Sequence, residues 1–223
     1  MIGKVEAYFY HNCEYNRFKN PDLKTSIFLD VIDSYFPGLK AFIKEAPEFS
    51  LRIVGPFKGR KTVGFRLASA IPEIFRALML SLNAIYRKEV HMHGVMIKLI
   101  ALYTKNRPHV RLYPQTDCTY LPKVRYIKLH TLTPIISRVP IIKLLENAYE
   151  EYKFLFSENL NFEIPMLTSF KFKHVEESLK GYFVLHIEKP EFLKVYRFIE
   201  IAGLGTRRLE GYGDISVEYI ENQ

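Results

Sequence analysis

Residues 51–101 read LRIVGPFKGRKTVGFRLASAIPEIFRALMLSLNAIYRKEVHMHGVMIKLIA, and three changes of rhythm inside this stretch set the architecture. Leu51–Val54 and the alternating Val63, Phe65 and Leu67 flank the turn-rich GPFKGRK, the pattern of a β-hairpin. Pro72 then opens a helix whose apolar stripe is Phe75, Leu78, Leu82 and Ile85. Val95, Ile97, Leu99 and Ala101 return to a period of two, which is a strand. Upstream, Val5, Ala7 and Phe9 alternate with Lys4, Glu6 and Tyr8 as a half-buried strand. Asn20-Pro21 is a cap and a first-turn proline, and Leu23, Ile27, Phe28, Val31 and Ile32 form a helical stripe stopped by Pro37-Gly38. The order is β-α-β-β-α-β.

Downstream the same order returns. Val124–Leu132 reads as a strand, and Pro140 opens a helix with Ile141, Leu145, Ala148, Tyr152 and Leu155 on one side. Met166–Lys173 and Tyr182–Ile187 form a second hairpin with its turn near Ser178–Gly181. Pro190 opens a last helix (Phe192, Val195, Ile199, Ala202), and Ile215, Val217 and Tyr219 close as a strand. Ile71-Pro72-Glu73 and Lys189-Pro190-Glu191 echo each other, each following a hairpin and starting a helix. The expected fold is α+β: two tandem ferredoxin-like (βαββαβ, RRM-like) domains, residues 1–104 and 123–223, joined by a Pro-, Lys- and Tyr-rich linker at 105–122.

At 223 residues, 48% hydrophobic and 25% charged, the chain has a globular composition, which excludes a disordered or fibrous protein. Two cysteines, Cys13 and Cys118, are too few for a disulfide framework or a four-thiolate zinc site and point to a reducing compartment. The first residues carry charge through their apolar stretch, unlike a signal peptide, and no run of about 18 apolar residues exists. The expectation is a cytoplasmic protein with no membrane segment.

The net charge of +8 is segregated. Val90–Leu145 holds nine Lys and Arg, among them Lys123, Arg125 and Lys128, against the single acid Asp117. Residues 49–72 add Arg52, Lys58, Arg60, Lys61 and Arg66 and no acid. Segregated positive charge attracts polyanions.

Residues 201–216, IAGLGTRRLEGYGDIS, hold two G-x-G pairs, Gly203/Gly205 and Gly211/Gly213, around Thr206, Arg207 and Arg208. Glycines allow close backbone approach and paired arginines supply forked phosphate donors. The loop lies between a helix and a strand, the reverse of a dinucleotide fingerprint, and lacks the G-K-[ST] of a Walker loop. An ordinary glycine-rich turn with solvated arginines is the alternative. G-x-S-x-G, H-E-x-x-H and C-x-x-C are absent, which removes the usual hydrolase-triad and zinc-protease signatures.

A loop of the form G-x-G-x-x-x-x-x-G-x-G before the last strand of a second ferredoxin-like domain resembles the signature of the RAMP superfamily of CRISPR-associated proteins. Within it the whole chain is similar to the repeat-processing endoribonucleases. IPEIFRALMLSLN, VHMHGVMIKLIAL and LHTLTPII agree in order and spacing, so the resemblance covers nearly all residues. It implies a protein that binds precursor CRISPR RNA and, needing neither metal nor cofactor, cleaves inside each repeat by attack of the ribose 2′-OH. The products would be a 2′,3′-cyclic phosphate and a 5′-OH. It leaves open a homodimer and membership in a CRISPR effector complex. The glycine loop residues Gly203, Gly205, Thr206, Arg207, Arg208, Gly211 and Gly213, with Lys123, Arg125 and Lys128, are the expected RNA contacts, together with a basic cleft between the halves and the second hairpin.

Family members commonly use a tyrosine and a histidine on or just after the first helix, with a lysine nearby. This chain departs from that pattern, for no histidine lies between Asn12 and Val90. Matching FPGLKAFIKEAPEF to the family segment puts Lys44 at the histidine position and Leu29 near the tyrosine. A lysine with an ordinary pKa near 10.4 is a poor base at pH 7, but it stabilises negative charge, and burial lowers its pKa. Lys24, Lys40, Lys44 and Tyr35 are therefore the candidates for a lysine-based site, against solvated helix-face lysines as the alternative. His91 and His93 alternate on one strand face, a weak metal motif, and His11 is within reach of a first-helix site. A non-cutting relative that holds repeat RNA and a structural subunit of an effector complex both remain open.

Overall fold

The structure is a computed structural model and describes residues 2–59, 61–103, 124–161, 163, 165–175 and 177–221. The chain separates into two compact units. One takes the described residues up to 103 together with Leu209–Gly211, and the other takes those from 124 to Arg208 and from Tyr212 onward. The linker expected at 105–122, and Lys123, lie outside the described residues.

In the first unit, β1 (Gly3–His11) alternates buried and half-exposed residues as its sequence requires. A short 3-10 turn, Tyr15–Lys19, leads to α1 (Pro21–Asp33). The Asn20 side chain accepts from the backbone N–H groups of Asp22 and Leu23 at 2.9 and 3.2 Å, and Pro21 occupies the first turn, where it sacrifices no helical hydrogen bond. Gly38, at φ 88°, ends this turn and starts a second helix, α2 (Leu39–Glu45). β2 (Arg52–Lys58), β3 (Thr62–Ser69), α3 (Pro72–Ala84), β4 (Glu89–Met92) and β5 (Val95–Tyr103) complete the unit. The strand order β2-β3-β1-β5 is that of a ferredoxin-like sheet, with β4 added at the β5 edge. The stripes of α1 and α3 bury Ile27, Phe28, Val31, Phe75 and Leu78 against the sheet residues Val5, Phe9, Phe65 and Leu67. Phe9, Phe28 and Phe65 meet edge to face at 5.0–6.1 Å, each pair worth about 1 kcal/mol beyond its buried area.

The second unit runs β6 (Val124–Thr131), β7 (Ile135–Ile136), α4 (Ile141–Phe156), β8 (Leu167–Val175), β9 (Ser178–His186), a 3-10 turn Pro190–Phe192, α5 (Leu193–Ala202) and β10 (Ile215–Glu221). Its order β10-β6-β9-β8 is again ferredoxin-like, and β7 pairs the start of β9 through Ile135↔Leu179 and Ile136↔Ser178. Leu145, Ala148 and Tyr152 of α4 and Val195, Phe198 and Ile199 of α5 are buried. The α+β tandem ferredoxin-like fold is therefore present in both halves.

Three local expectations change. VHMHGVMIKLIAL is two strands, because His93 and Gly94, at φ 51° and 68°, form the two-residue link between Met92 and Val95. Pro37-Gly38 is a break between two helices and not the end of helical structure. The second hairpin turns before Ser178; Gly181 lies inside β9, at a close approach of β8, where an added Cβ would sit 1.8 Å from the Lys171 carbonyl oxygen. Among the described residues no helix is long and apolar enough to cross a membrane.

Candidate functional site

The glycine loop is built for close packing. Gly213, at φ 68°, lies where an added Cβ would be 1.8 Å from the Leu204 carbonyl oxygen, and Gly211, at φ 93°, would set one 2.4 Å from that of Ile53. Both need the absence of a side chain. Thr206 N–H donates to the Ile136 carbonyl at 3.0 Å, hooking the loop to β7. Gly203, Gly205, Gly211 and Gly213 are buried, while Thr206 and Arg207 are exposed. The Arg207 guanidinium lies 5.2 Å from the centre of the Tyr212 ring.

Arg208 differs. It is 4% exposed, donates its Nε–H to the Gly205 carbonyl at 2.7 Å, and holds both Glu151 carboxylate oxygens at 2.7 and 2.8 Å. A guanidinium so occupied anchors the loop to α4, and the expectation that Arg208 meets RNA phosphate is corrected. Neither sequence neighbour reveals this, because the acid lies 57 positions away.

Lys24 is also committed. It is 4% exposed, and its Nζ donates to the carbonyls of Glu210 at 2.7 Å and Gly55 at 3.3 Å, all within the first unit. Burial pushes its amine down to about 8, and the Glu210 carboxylate only partly opposes this. Tied to two carbonyls, it fastens the loop tip within the first unit.

Lys44 is exposed on the last turn of α2, and Tyr35, 45% exposed, follows α1. Leu29, near which the family tyrosine was expected, is fully buried. Of the four candidates only Lys40 enters a polar cluster. Its Nζ pairs with Asp30 Oδ1, while His93 Nε2 lies 2.6 Å from Asp30 Oδ2. Burial alone would raise the Asp30 carboxyl, but the hydrogen bonds from Lys40 and His93 outweigh it and hold the group below the ordinary carboxylate value. Arg17 donates to the carbonyls of His93 and Gly94 at 3.3 and 3.2 Å. Sequence reasoning weighed His93 as half of a weak metal pair and missed this contact, since Asp30 is 63 residues away. The only signal was His-Gly between two apolar runs, which marks a hairpin turn.

A separate pocket of about 340 Å³ is lined by Tyr10, His11, Tyr15, Lys58, Gly59, Lys61 and Thr62. His11 Nδ1 is 2.8 Å from the Cys13 carbonyl, and its ring stands edge-on to buried Phe18 at 5.2 Å. Among the described residues no three His, Cys, Asp or Glu side chains gather as a metal-holding group.

The face of the second sheet away from the core carries a row of which sequence reasoning named Lys128 but not its aromatic and histidine neighbours. Tyr126, Lys128 and His130 stand opposite His186, Val184 and Tyr182. Tyr126 lies 5.2 Å from His186, His130 lies 5.8 Å from Tyr182, and Lys128 Nζ sits 4.5 Å from the centre of the Tyr182 ring. Half-exposed aromatic rings interleaved with cations offer both stacking and charge to single-stranded nucleic acid. Arg125 is exposed on the same strand.

No protein-family model matches this chain, and no curated protein does. Solved structures do. A Thermus thermophilus Cas6 in a product complex superposes with a TM-score of 0.72 at 14% identity, over 98% of this chain and 100% of that one. A RAMP protein binding different RNA substrates gives 0.58 at 16%, over 99% and 100%. The product of a Cas6-related gene from Pyrococcus furiosus gives 0.57 at 12%, over the whole of both chains. The chain thus has, end to end, the fold of the CRISPR-associated Cas6 and RAMP proteins.

Proposed function

We propose that this chain binds the repeat RNA of precursor CRISPR transcripts and cleaves it without metal by 2′-OH attack, releasing guide RNAs. What carries the proposal is the end-to-end likeness to Cas6 proteins, one of them in a product complex, together with the buried glycine loop described above. Exposed Arg207 and Arg125, with the Tyr126–Lys128–Tyr182 row, supply the phosphate and base contacts. The chemistry asks for a base at the 2′-OH and positive charge on the phosphorane, both within reach of ordinary side chains. Effector-complex proteins and a second copy of the chain are the further partners.

The test is incubation with matched repeat RNA in EDTA. Unmodified RNA should be cut within each repeat, and a single deoxyribose before the scissile phosphate should abolish cutting while leaving affinity nearly unchanged. A non-cutting RNA holder is the second reading, favoured by the absence of histidine from residues 12–90. Tight binding that leaves the repeat uncut over hours would establish it in place of the nuclease. A structural effector subunit would instead co-purify with partner proteins.

A further inference from the structure

The turn between β4 and β5 delivers an imidazole to a helix that has none of its own. His93 and Gly94 both sit in the left-handed region, which a non-glycine residue seldom adopts. The chain holds His93 there from two sides. Arg17, on the 3-10 turn, takes the carbonyls of both turn residues, and Asp30 on α1 takes the ring. Lys40 shares that carboxylate, and its own place is set by Asp33, whose Oδ1 accepts from the backbone N–H groups of Gly38 and Lys40 at 3.0 and 3.1 Å. The side chains of His93, Lys40 and Asp30 keep 37%, 33% and 27% of their surface accessible, so a ligand can reach them.

The arrangement has a definite chemical sense. A carboxylate bonded at Nε2 places the proton of a neutral imidazole on that nitrogen and leaves the lone pair on Nδ1. The ammonium of Lys40 beside it adds positive charge where a phosphate would gain negative charge. His11, at the same end of the sheet, lacks that setting: its ring nitrogen meets a backbone carbonyl and its face rims the core at Phe18.

We infer that His93, oriented by Asp30 and flanked by Lys40, is the general base of the RNA cleavage proposed above, in place of a histidine on the first helix. The assignment rests on that cleavage. His93 Nδ1 takes the 2′-OH proton as the 2′-oxygen bonds to phosphorus. The bond from phosphorus to the 5′-oxygen breaks with its electron pair on that oxygen, which takes a proton from water, and the imidazolium returns its proton to solvent. Lys40 neutralises the phosphorane, and Asp30 is a positioning residue.

His93→Gly is the informative variant, because the left-handed backbone suits glycine and the lost ring leaves room for free imidazole. It should cut repeat RNA about 100-fold or more slowly than wild type, the scale of a lost general base, with affinity within about threefold. Added imidazole should restore at least about tenfold of the rate, which a purely structural histidine would not allow. His93→Gln, which keeps a hydrogen bond to Asp30 but carries no base, should be equally slow. Cutting by His93→Gly within about threefold of wild type, no recovery with imidazole, or the main loss falling on His11→Ala would each overturn the base assignment while cleavage itself stands. A wild-type protein that does not cut overturns both.

Discussion

Arg208 and Glu151 form a two-pronged ion pair, each terminal guanidinium nitrogen donating to one carboxylate oxygen, with the arginine side chain 5% accessible and the glutamate 24%. Removing one partner of such a pair strands the other charge away from water. Arg208→Ala or Glu151→Ala should therefore cost about 3 kcal/mol of stability in urea unfolding, whereas Arg208→Met with Glu151→Leu should recover much of it. A double-variant loss equal to the sum of the two single losses would show that the residues are not coupled and that the pair does not hold the loop.

Arg207, one position earlier and exposed, has the opposite expectation. Its replacement by alanine should leave unfolding unchanged and weaken RNA binding. If the basic surface neutralises about six phosphates, log affinity should fall against log salt with a slope near −4, so that fourfold more salt weakens binding roughly 300-fold. Arg207→Ala should flatten that slope by about 0.7. A wild-type slope shallower than about −1 would contradict a phosphate footprint of this size.

Lys24 makes stability depend on pH in a predictable direction. Burial depresses its pKa from 10.5 to about 8, so above pH 8 the unfolded chain holds a proton that the folded chain has released. Stability relative to Lys24→Met should thus rise as pH climbs from 8 to 10.5, by a total of about 3 kcal/mol, and be flat below pH 8. Paired denaturation curves across that range measure it, and a falling difference would mean that the folded amine stays charged.

Gly213→Ala should be severe. The substitution asks a left-handed backbone to carry a methyl group 1.8 Å from a carbonyl oxygen, which only movement of the whole loop relieves. The expected result is a loss of about 3 kcal/mol or more in thermal or chemical unfolding, in contrast to Gly38→Ala, where nothing lies within 4 Å and only the backbone term remains.

Much of the fold is written in local pattern. Pro21, Pro72 and Pro190 each open a helix or helical turn where their fixed φ fits, and alternation marks β1, β3 and β5. What escapes is short or conditional on distant groups. Helix α2 has seven residues, too few for a periodic stripe, and β7 has two. At the site, sequence shows that arginines, lysines and histidines exist but not which acid each will meet. Arg207 and Arg208 are identical neighbours on paper, yet one faces water and the other is locked to Glu151. Lys24 and Lys40 part in the same way, over a backbone carbonyl 186 positions distant and a carboxylate ten positions away.

That carbonyl, on Glu210, has a bearing on how the molecule is made. The amino-terminal unit counts Leu209–Gly211 among its own residues, and Leu209 packs against its apolar cluster. A ribosome must therefore synthesise all but the final strand before the first unit has every part it needs. Until then the Lys24 amine lacks its nearer acceptor, and the nascent half waits, incomplete, for Leu209–Gly211.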